Sequence, residues 1–195
     1  MRKEWQVGVV IPAKNEQSFI GDVIDSIPDF VDKIVVINDG STDKTQIIIE
    51  DMAKINDKID LINLPGNGVG YAIDTGHQRL IEILEKPFVS AVMAGDGQMD
   101  VEDLTSVIEP VIRNEADHVK GNRFNHAQGI GNMPKIRKLA SKILGFFTTL
   151  ASGRSVTDPQ CGYTATSNVV LEEWDWESSW KGYGYPNYWL IELSE

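Results

Sequence analysis

A single carboxylate, Asp96, stands between two glycines directly after an apolar run of the chain. Residues 88–93 of that run have the apolar, β-branched character of a buried strand. Gly95 and Gly97 give the backbone room to turn and to approach a ligand closely. Ligands of open α/β sheets bind at the carboxyl ends of the parallel strands, so the place of Asp96 predicts a binding role.

Two further oxygen-bearing side chains, Gln98 and Asp100, follow Asp96 at alternate positions. Hard cations such as Mg²⁺ require oxygen ligands, and one or two carboxylates suffice where phosphates supply the rest. The cluster therefore favours a cation beside a phosphate-bearing ligand. A polar turn between strand and helix is the alternative interpretation, and for Asp100 we expect a helix N-cap.

Apolar strands alternate with amphipathic helices along most of the chain. We predict strands at residues 6–13, 33–37, 59–64, 88–93 and 117–124, helices at residues 15–27, 45–58, 71–85, 101–115 and 133–152, and an irregular tail at residues 157–195. Strict alternation with short loops predicts an α/β fold, a doubly wound and mostly parallel sheet with helices on both faces. We expect residues 1–195 to form a single domain.

Four polar loops follow the predicted strands. They occupy residues 12–16, 38–43, 66–70 and 95–100. Because the carboxyl ends of parallel strands meet at one edge of a sheet, we expect these loops to share one crevice, which predicts a nucleotide or phosphate site.

Composition limits the possible classes of protein. The chain has 195 residues, a net charge of −11, 42% hydrophobic and 24% charged residues, as in an ordinary globular domain. The acidic balance argues against a general nucleic-acid binder. One cysteine, Cys161, excludes an internal disulfide and is typical of a reducing compartment. No signal peptide or stretch of about 20 apolar residues is seen, so we expect a cytoplasmic protein without a transmembrane segment.

Residues 118–157 contain no Asp or Glu, although the chain as a whole is acidic. The basic side chains of this segment are Lys120, Arg123, Lys135, Arg137, Lys138, Lys142 and Arg154. The segment predicts an anionic partner, with a solvated basic surface as the alternative.

The helix predicted at residues 133–152 carries an apolar stripe at helical spacing. Leu139, Ile143, Phe146 and Leu150 form this stripe, and lysines lie on another flank. Such a basic amphipathic helix is a candidate for a membrane interface; a core helix that covers the sheet is the alternative.

Six short motifs occur in the order found in family 2 glycosyltransferases of the GT-A fold. They are PAKNE (12–16), VINDGSTDKT (36–45), GNGVGYA (66–72), AGDGQMD (94–100), GNRF (121–124) and DPQCGY (158–163). Over residues 7–193 the chain most resembles the dolichyl-phosphate mannose or glucose synthase-like enzymes. The resemblance implies metal-assisted, inverting transfer of a hexose from a UDP- or GDP-sugar to a polyprenyl (dolichyl) phosphate, with Mg²⁺ or Mn²⁺. It also implies peripheral contact with the cytosolic face of a membrane and family elements beyond residue 195.

The resemblance also implies which residues bind the donor. The nucleotide-binding positions are Pro12, Lys14, Glu16, Asp39, Gly68 and Asp96, and the metal ligands are Asp96 and Gln98. Asp39 would accept a hydrogen bond from a base N–H. Two positions depart from the family pattern, because Asn38 replaces the first carboxylate of an Asp-Asp-Gly-Ser motif and Ala94 stands where an Asp-x-Asp motif often begins. The metal site then depends on Asp96 and Gln98 alone.

Acceptor and catalytic residues follow from the same resemblance. Arg123 and Asp158 join Asp96 as catalytic residues, and Arg123, Arg137 and Ser141 would bind the acceptor phosphate. A guanidinium can hold a phosphate through two parallel hydrogen bonds. A lipid phosphate oxygen is already anionic, so positioning and electrostatics replace a strong general base. Asp158 matches an acidic position near the donor sugar.

Other functions remain open on the sequence. Ala94 favours a non-catalytic sugar-nucleotide-binding module, and a saccharide acceptor is a further alternative. Gly66, Gly68 and Gly70 have the spacing of a dinucleotide-binding loop, but they follow the third strand and lack the acidic residue that ribose recognition requires. We therefore do not expect a nicotinamide-dependent oxidoreductase.

Overall fold

The computed structural model describes residues 5–122, 135–153, 155–182 and 184–194, and for residues 135–142 it describes the backbone alone. The strands are β1 (Gln6–Ala13), β2 (Lys33–Asp39), β3 (Ile59–Leu64), β4 (Phe88–Val92), β5 (His118–Lys120) and β6 (Thr164–Ser167). The helices are α1 (Ile20–Ser26), α2 (Thr45–Ala53), α3 (Val69–Ile83), α4 (Leu104–Ile112), α5 (Lys135–Ser152), α6 (Asn168–Glu173) and α7 (Tyr185–Glu192), with a 3₁₀ turn at Val101–Asp103.

The strands form one sheet in the order β3-β2-β1-β4-β6-β5. β1 pairs in parallel with β2 and β4, and β2 pairs in parallel with β3, whereas β6 runs antiparallel to β4 and β5. Alternate residues of β1 point to opposite faces: Val9 packs in the cluster with α1, α2 and α4, and Val10 packs in the cluster with α3, α6 and α7. The doubly wound, mostly parallel sheet is confirmed.

Several predicted boundaries are wrong, most clearly those of the first two helices and the fifth strand. The first helix begins at Ile20 rather than at residue 15, because the preceding residues bond to the next loop and Asn15 has a φ of 58°. The second helix ends at Ala53 rather than at residue 58. The fifth strand ends at Lys120 within the described residues; residues 123–124 of the prediction lie outside them.

The irregular tail predicted at residues 157–195 is also wrong, because it contains β6, α6 and α7. β6 has the sequence TATS, whose small residues give no apolar alternation. Its strand conformation comes from pairing, with Val92 opposite Thr164 and Val89 opposite Ser167. Tertiary pairing therefore decides a segment whose local sequence is neutral.

An aromatic cluster covers the face of the sheet that packs against α3, α6 and α7. Trp189 is 1% exposed and stacks on Trp174 with ring centroids 3.9 Å apart. His77 lies 5.4 Å from the Trp189 ring, and its Nδ1 is 2.8 Å from Ser90 Oγ on β4. His118 lies 6.1 Å from the same ring. The two histidines thus belong to the core, which holds α3, α7 and the sheet together.

Within the described ranges, every helix falls short of the length or hydropathy that crossing a bilayer demands.

Gly76 lets α3 lie directly on β1. A Cβ at this position would be 2.2 Å from Val10 Cγ1, whereas a Cβ at Gly21 of α1 would meet only Ile48 Cγ2 at 3.7 Å. We expect Gly76→Ala to lower the free energy of unfolding by about 1–3 kcal/mol through overpacking. The matched control Gly21→Ala should raise it by up to about 1 kcal/mol through helix propensity. Urea unfolding measures both, and equal effects would contradict this packing.

Acid should destabilise the protein through His77 and His118. Burial, reinforced by the charge of the neighbouring His118, lowers the pKa of His77 to about 3, and burial together with Lys120 lowers that of His118 to about 3. Since both values lie below the ordinary 6.5, their contribution to stability is complete above pH 6.5 and is lost as the pH falls towards 3. Between pH 7.5 and 5.5 we expect a loss of about 1.4 kcal/mol per histidine.

Urea unfolding at the two pH values tests this expectation. His77→Gln should show about half of the wild-type loss, whatever its absolute stability. An unchanged pH dependence in that variant would refute the role of His77.

Candidate functional site

Reciprocal hydrogen bonds join the loop after β1 to the loop after β2. The backbone N–H of Asn15 donates to Ser41 Oγ at 2.9 Å, and that of Glu16 donates to Thr45 Oγ1 at 2.8 Å. In return, the backbone N–H of Thr42 donates to Asn15 Oδ1 at 2.8 Å. These side-chain bonds replace the first turn of the predicted helix and hold the two loops together at one edge of the sheet.

Asp39 joins the second loop to the third loop, residues 66–70. Its Oδ1 accepts from the Asn67 backbone at 2.7 Å and its Oδ2 from the Gly68 backbone at 3.0 Å. The Asp39 side chain is buried, and Lys14 Nζ lies 3.9 Å from Oδ2. A carboxylate has about four acceptor sites, so a base N–H can still bind, as predicted for this residue.

Gly40 makes the approach of these two loops possible. Its φ is +72°, and a Cβ at this position would lie 2.9 Å from the backbone nitrogen of Gly66. A side chain here would be strained and would push the third loop away from the second.

The fourth loop, residues 95–100, packs against the first. The Gly95 backbone donates to Pro12 O at 3.2 Å, and a Cβ on Gly95 would be 3.1 Å from Ile20 Cδ1. Asp96 Oδ1 accepts from the Gln98 backbone at 3.0 Å. Asp100 Oδ1 accepts from the Glu102 backbone at 3.0 Å, which confirms its predicted role as an N-cap.

Carboxylates converge where the first and fourth loops meet. Burial raises the pKa of Glu16, and the negative charges of Asp96 and Asp43 raise it further. A divalent cation at this point would relieve that repulsion, and Asp96 with the exposed Gln98 supplies oxygen ligands of the right kind. In the described part of the chain, no three acidic, histidine or cysteine side chains form a complete metal site. The ligands present therefore fit a cation that takes its remaining oxygens from a diphosphate.

The structure brings the predicted nucleotide-binding residues together. Pro12, Lys14, Glu16, Asp39, Gly68 and Asp96 all lie on the four joined loops. Their assignment to a nucleotide stays a prediction.

The predicted acceptor residues are less fully described. Arg123 lies outside the described residues, and Arg137 and Ser141 lie on α5, where the backbone alone is described. Asp158 is buried. Its segment is held against the end of β5, because Asn122 Nδ2 donates to Thr157 Oγ1 at 2.6 Å and Lys120 Nζ donates to Cys161 O.

Sequence analysis missed a contact between the third loop and the tail. The Gly70 backbone donates to Lys181 O at 3.1 Å, and Lys181 Nζ reaches Asp74 on α3. The signal in the sequence is the absence of a side chain at Gly70, where a Cβ would lie 2.6 Å from the carbonyl carbon of Lys181. No spacing rule links a residue of α3 to one so far along the chain.

The profile of glycosyl transferase family 2 matches residues 8–174. The chain is 30% identical over 178 residues to UDP-N-acetylglucosamine–dolichyl-phosphate N-acetylglucosaminyltransferase of Methanococcus voltae, which covers 84% of this chain and 70% of that protein. It is 29% identical over 175 residues to dolichyl-phosphate beta-glucosyltransferase ALG5C of Trichomonas vaginalis, which covers 79% of this chain and 49% of that protein.

A solved structure shows the same fold. Glucosyl-3-phosphoglycerate synthase from Mycobacterium tuberculosis, in complex with Mn²⁺, UDP-glucose and phosphoglyceric acid, superposes with a TM-score of 0.68 at 22% identity, over 96% of this chain and 64% of that chain. The chain thus spans about half the length of the Trichomonas protein and less than two thirds of the mycobacterial one. The matched profile includes all four loops of the crevice and the sheet that positions them. The chain belongs to glycosyl transferase family 2 and has the GT-A fold.

Proposed function

We propose that this chain transfers a hexosyl group from a UDP-sugar to a polyprenyl phosphate, with inversion at the anomeric carbon. The observation that carries the proposal is the crevice in which four loops, which include Asp39 and Asp96, are hydrogen-bonded to one another. The activity in the name of the Methanococcus relative, a UDP-N-acetylglucosamine–dolichyl-phosphate N-acetylglucosaminyltransferase, favours UDP over GDP and a lipid phosphate over a saccharide.

On the donor side, Pro12, Lys14, Glu16 and Asp39 surround the nucleobase, and Gly68 lies beside the nucleotide. Asp96 and Gln98 would hold Mg²⁺ or Mn²⁺, which would supply positive charge to the diphosphate as it leaves. Lys14 neutralises part of the charge of the buried Asp39 carboxylate, from which it is 3.9 Å away. Asp39 is therefore placed to accept a hydrogen bond from the base.

The transfer needs little acid–base chemistry. An anionic oxygen of the acceptor phosphate forms a bond to the anomeric carbon, while the bond from that carbon to the diphosphate oxygen breaks. The nucleoside diphosphate leaves with the bonding electron pair, and no proton has to move. Arg123, Arg137 and Ser141 hold the acceptor phosphate, and the buried Asp158 lies near the donor sugar, so that the protein contributes positioning and charge.

The packing of α5 supports an acceptor that lies at a membrane. Ile143, Phe146, Phe147 and Leu150 form one stripe along the helix and are 51%, 61%, 60% and 66% exposed. Over residues 143–152 the helix faces the protein through small and polar residues instead: a Cβ on Gly145 would lie 2.8 Å from Val156 O, and Thr148 Oγ1 lies 2.7 Å from Asn187 Oδ1 of α7. An apolar stripe turned outwards is the reverse of an ordinary surface helix.

Charge complementarity favours an anionic lipid surface as the occupant of that stripe. The helix carries four basic residues and no acidic one: Lys135, Arg137, Lys138 and Lys142. Apolar and basic residues on one helix are the combination that binds at a bilayer interface. The acceptor phosphate would then be presented beside α5, at the surface where its lipid chain is anchored.

Nucleotide binding should depend on Asp96 and on metal. We expect Asp96→Ala to weaken UDP binding in the presence of Mn²⁺ at least tenfold and to abolish the difference that Mn²⁺ makes. Titrations followed by tryptophan fluorescence, with and without Mn²⁺, measure this effect. Glu102→Gln is the matched control, because it removes an exposed carboxylate from the neighbouring turn and should leave binding unchanged.

The same titrations, together with an assay of sugar transfer, decide between the alternatives. Binding of neither UDP nor GDP would refute the proposed donor site, and binding of GDP alone would change the base. Binding without transfer of a radiolabelled sugar to polyprenyl phosphate would favour the non-catalytic module that Ala94 suggests. Transfer to a saccharide alone would overturn the lipid acceptor.

Membrane binding should depend on the exposed stripe of α5. We expect Phe146→Gln combined with Leu150→Gln to lower partitioning onto vesicles of phosphatidylcholine and phosphatidylglycerol at least tenfold, because each large apolar side chain contributes up to about 1.5–3 kcal/mol when buried. Vesicle sedimentation measures the bound fraction, which salt should reduce. Ile55→Gln, at a residue 89% exposed after α2, is the control. Equal binding of both variants, or of wild type to neutral vesicles, would contradict this surface.

A further inference from the structure

Residues 176–182 of the tail form a strap that lies across the third loop. The Gly70 backbone donates to Lys181 O at 3.1 Å. A Cβ on Gly70 would lie 2.6 Å from Trp180 O, and a Cβ on Gly68 would lie 3.2 Å from Lys181 O. The strap therefore touches the loop backbone itself, at the point where α3 begins.

A partly buried ion pair fixes the strap to α3. Lys181 Nζ donates to Asp74 Oδ2, and it also donates to Trp176 O at 2.7 Å. Asp74 is 3% exposed and has a second partner on the strap, since Ser179 Oγ lies 3.3 Å from its Oδ1. The ammonium group of Lys181 thus compensates the charge of a carboxylate that is removed from water. Its bond to Trp176 O also joins the two ends of the strap.

The third loop is consequently held from two sides. Asp39 binds the amides of Asn67 and Gly68 from the sheet, and Lys181 binds the amide of Gly70 from the strap. Amides at the start of a helix attract phosphate when they are free. Here the Gly70 amide is already taken, so its role is to fix the loop rather than to bind a ligand.

We infer that Lys181 and Asp74 are positioning residues for the nucleotide: their ion pair keeps the strap closed on the third loop, and the strap keeps the loop in the conformation that the donor needs. The inference rests on the proposed function, because it assumes that the third loop lies beside the nucleotide. Neither side chain touches the donor; both act through the backbone of Gly68 and Gly70.

Lys181→Met tests the pair, with Lys86→Met as the matched control. Lys86 also forms an ion pair with a carboxylate, Glu172, at 2.6 Å, but it lies on the surface. In Lys181→Met we expect hydrogen exchange of the amides of residues 66–70 to accelerate at least tenfold. We also expect KM for the UDP-sugar to rise at least tenfold while kcat changes less than threefold. Lys86→Met should behave as wild type in both measurements.

A second variant keeps the test decisive if Lys181→Met does not fold. Gly70→Ala keeps both side chains of the ion pair but places a Cβ 2.6 Å from the backbone of the strap, and it should produce the same faster exchange and higher KM. A folded variant with unchanged loop exchange or an unchanged KM would overturn the inference. Hydrogen exchange needs no nucleotide, so a wild-type protein that binds neither UDP nor GDP would refute the proposed function while the exchange data still decide whether the pair holds the loop.

Discussion

The carboxylate of Asp39 is the interaction on which the carboxyl edge of the sheet depends. It ends β2, is buried, and accepts hydrogen bonds from two consecutive amides of the third loop. Hydrogen bonds to a charged group contribute about 1.5–3 kcal/mol each, and leaving a buried charge unpaired costs more. The loop is therefore fixed relative to β2. Gly40 and Gly66 lie so close together that no side chain fits between their backbones.

Preorganisation of this kind suits a reaction in which the protein moves no proton. The loop after β1 is hydrogen-bonded to the loops after β2 and β4, so the crevice is in place before a ligand arrives. The free energy of donor binding is then not spent on ordering the loops. The proposed acceptor side differs, because over residues 143–152 α5 rests on the protein through Gly145 and Thr148 and turns large apolar residues outwards. The donor side of the proposed site is formed by the protein itself, and the proposed membrane surface would complete the acceptor side.

The sequence was sufficient for the elements whose pattern is local. Buried apolar runs marked β1, β2 and β4, and polar residues after each strand marked the loops that converge. It was insufficient for β6, since Thr164–Ser167 is small and neutral and becomes a strand only beside β4. The first helical turn predicted after β1 does not form, because the amides of that turn donate to the side chains of Ser41 and Thr45 instead. Asp74 and Lys181 were missed because an ion pair between an internal helix and the tail leaves no periodic signal.

The position of β6 has a consequence for how the chain reaches its native state. β6 inserts between β4 and β5, although it follows both in the sequence. While the chain emerges from a ribosome, β4 and β5 have no bridging strand until Ser167 has been made, and β4 is a temporary open edge. Pairing between such distant segments raises the contact order and slows folding. A helper that shields β4 during synthesis would act at that stage, and its target would disappear once β6 docks.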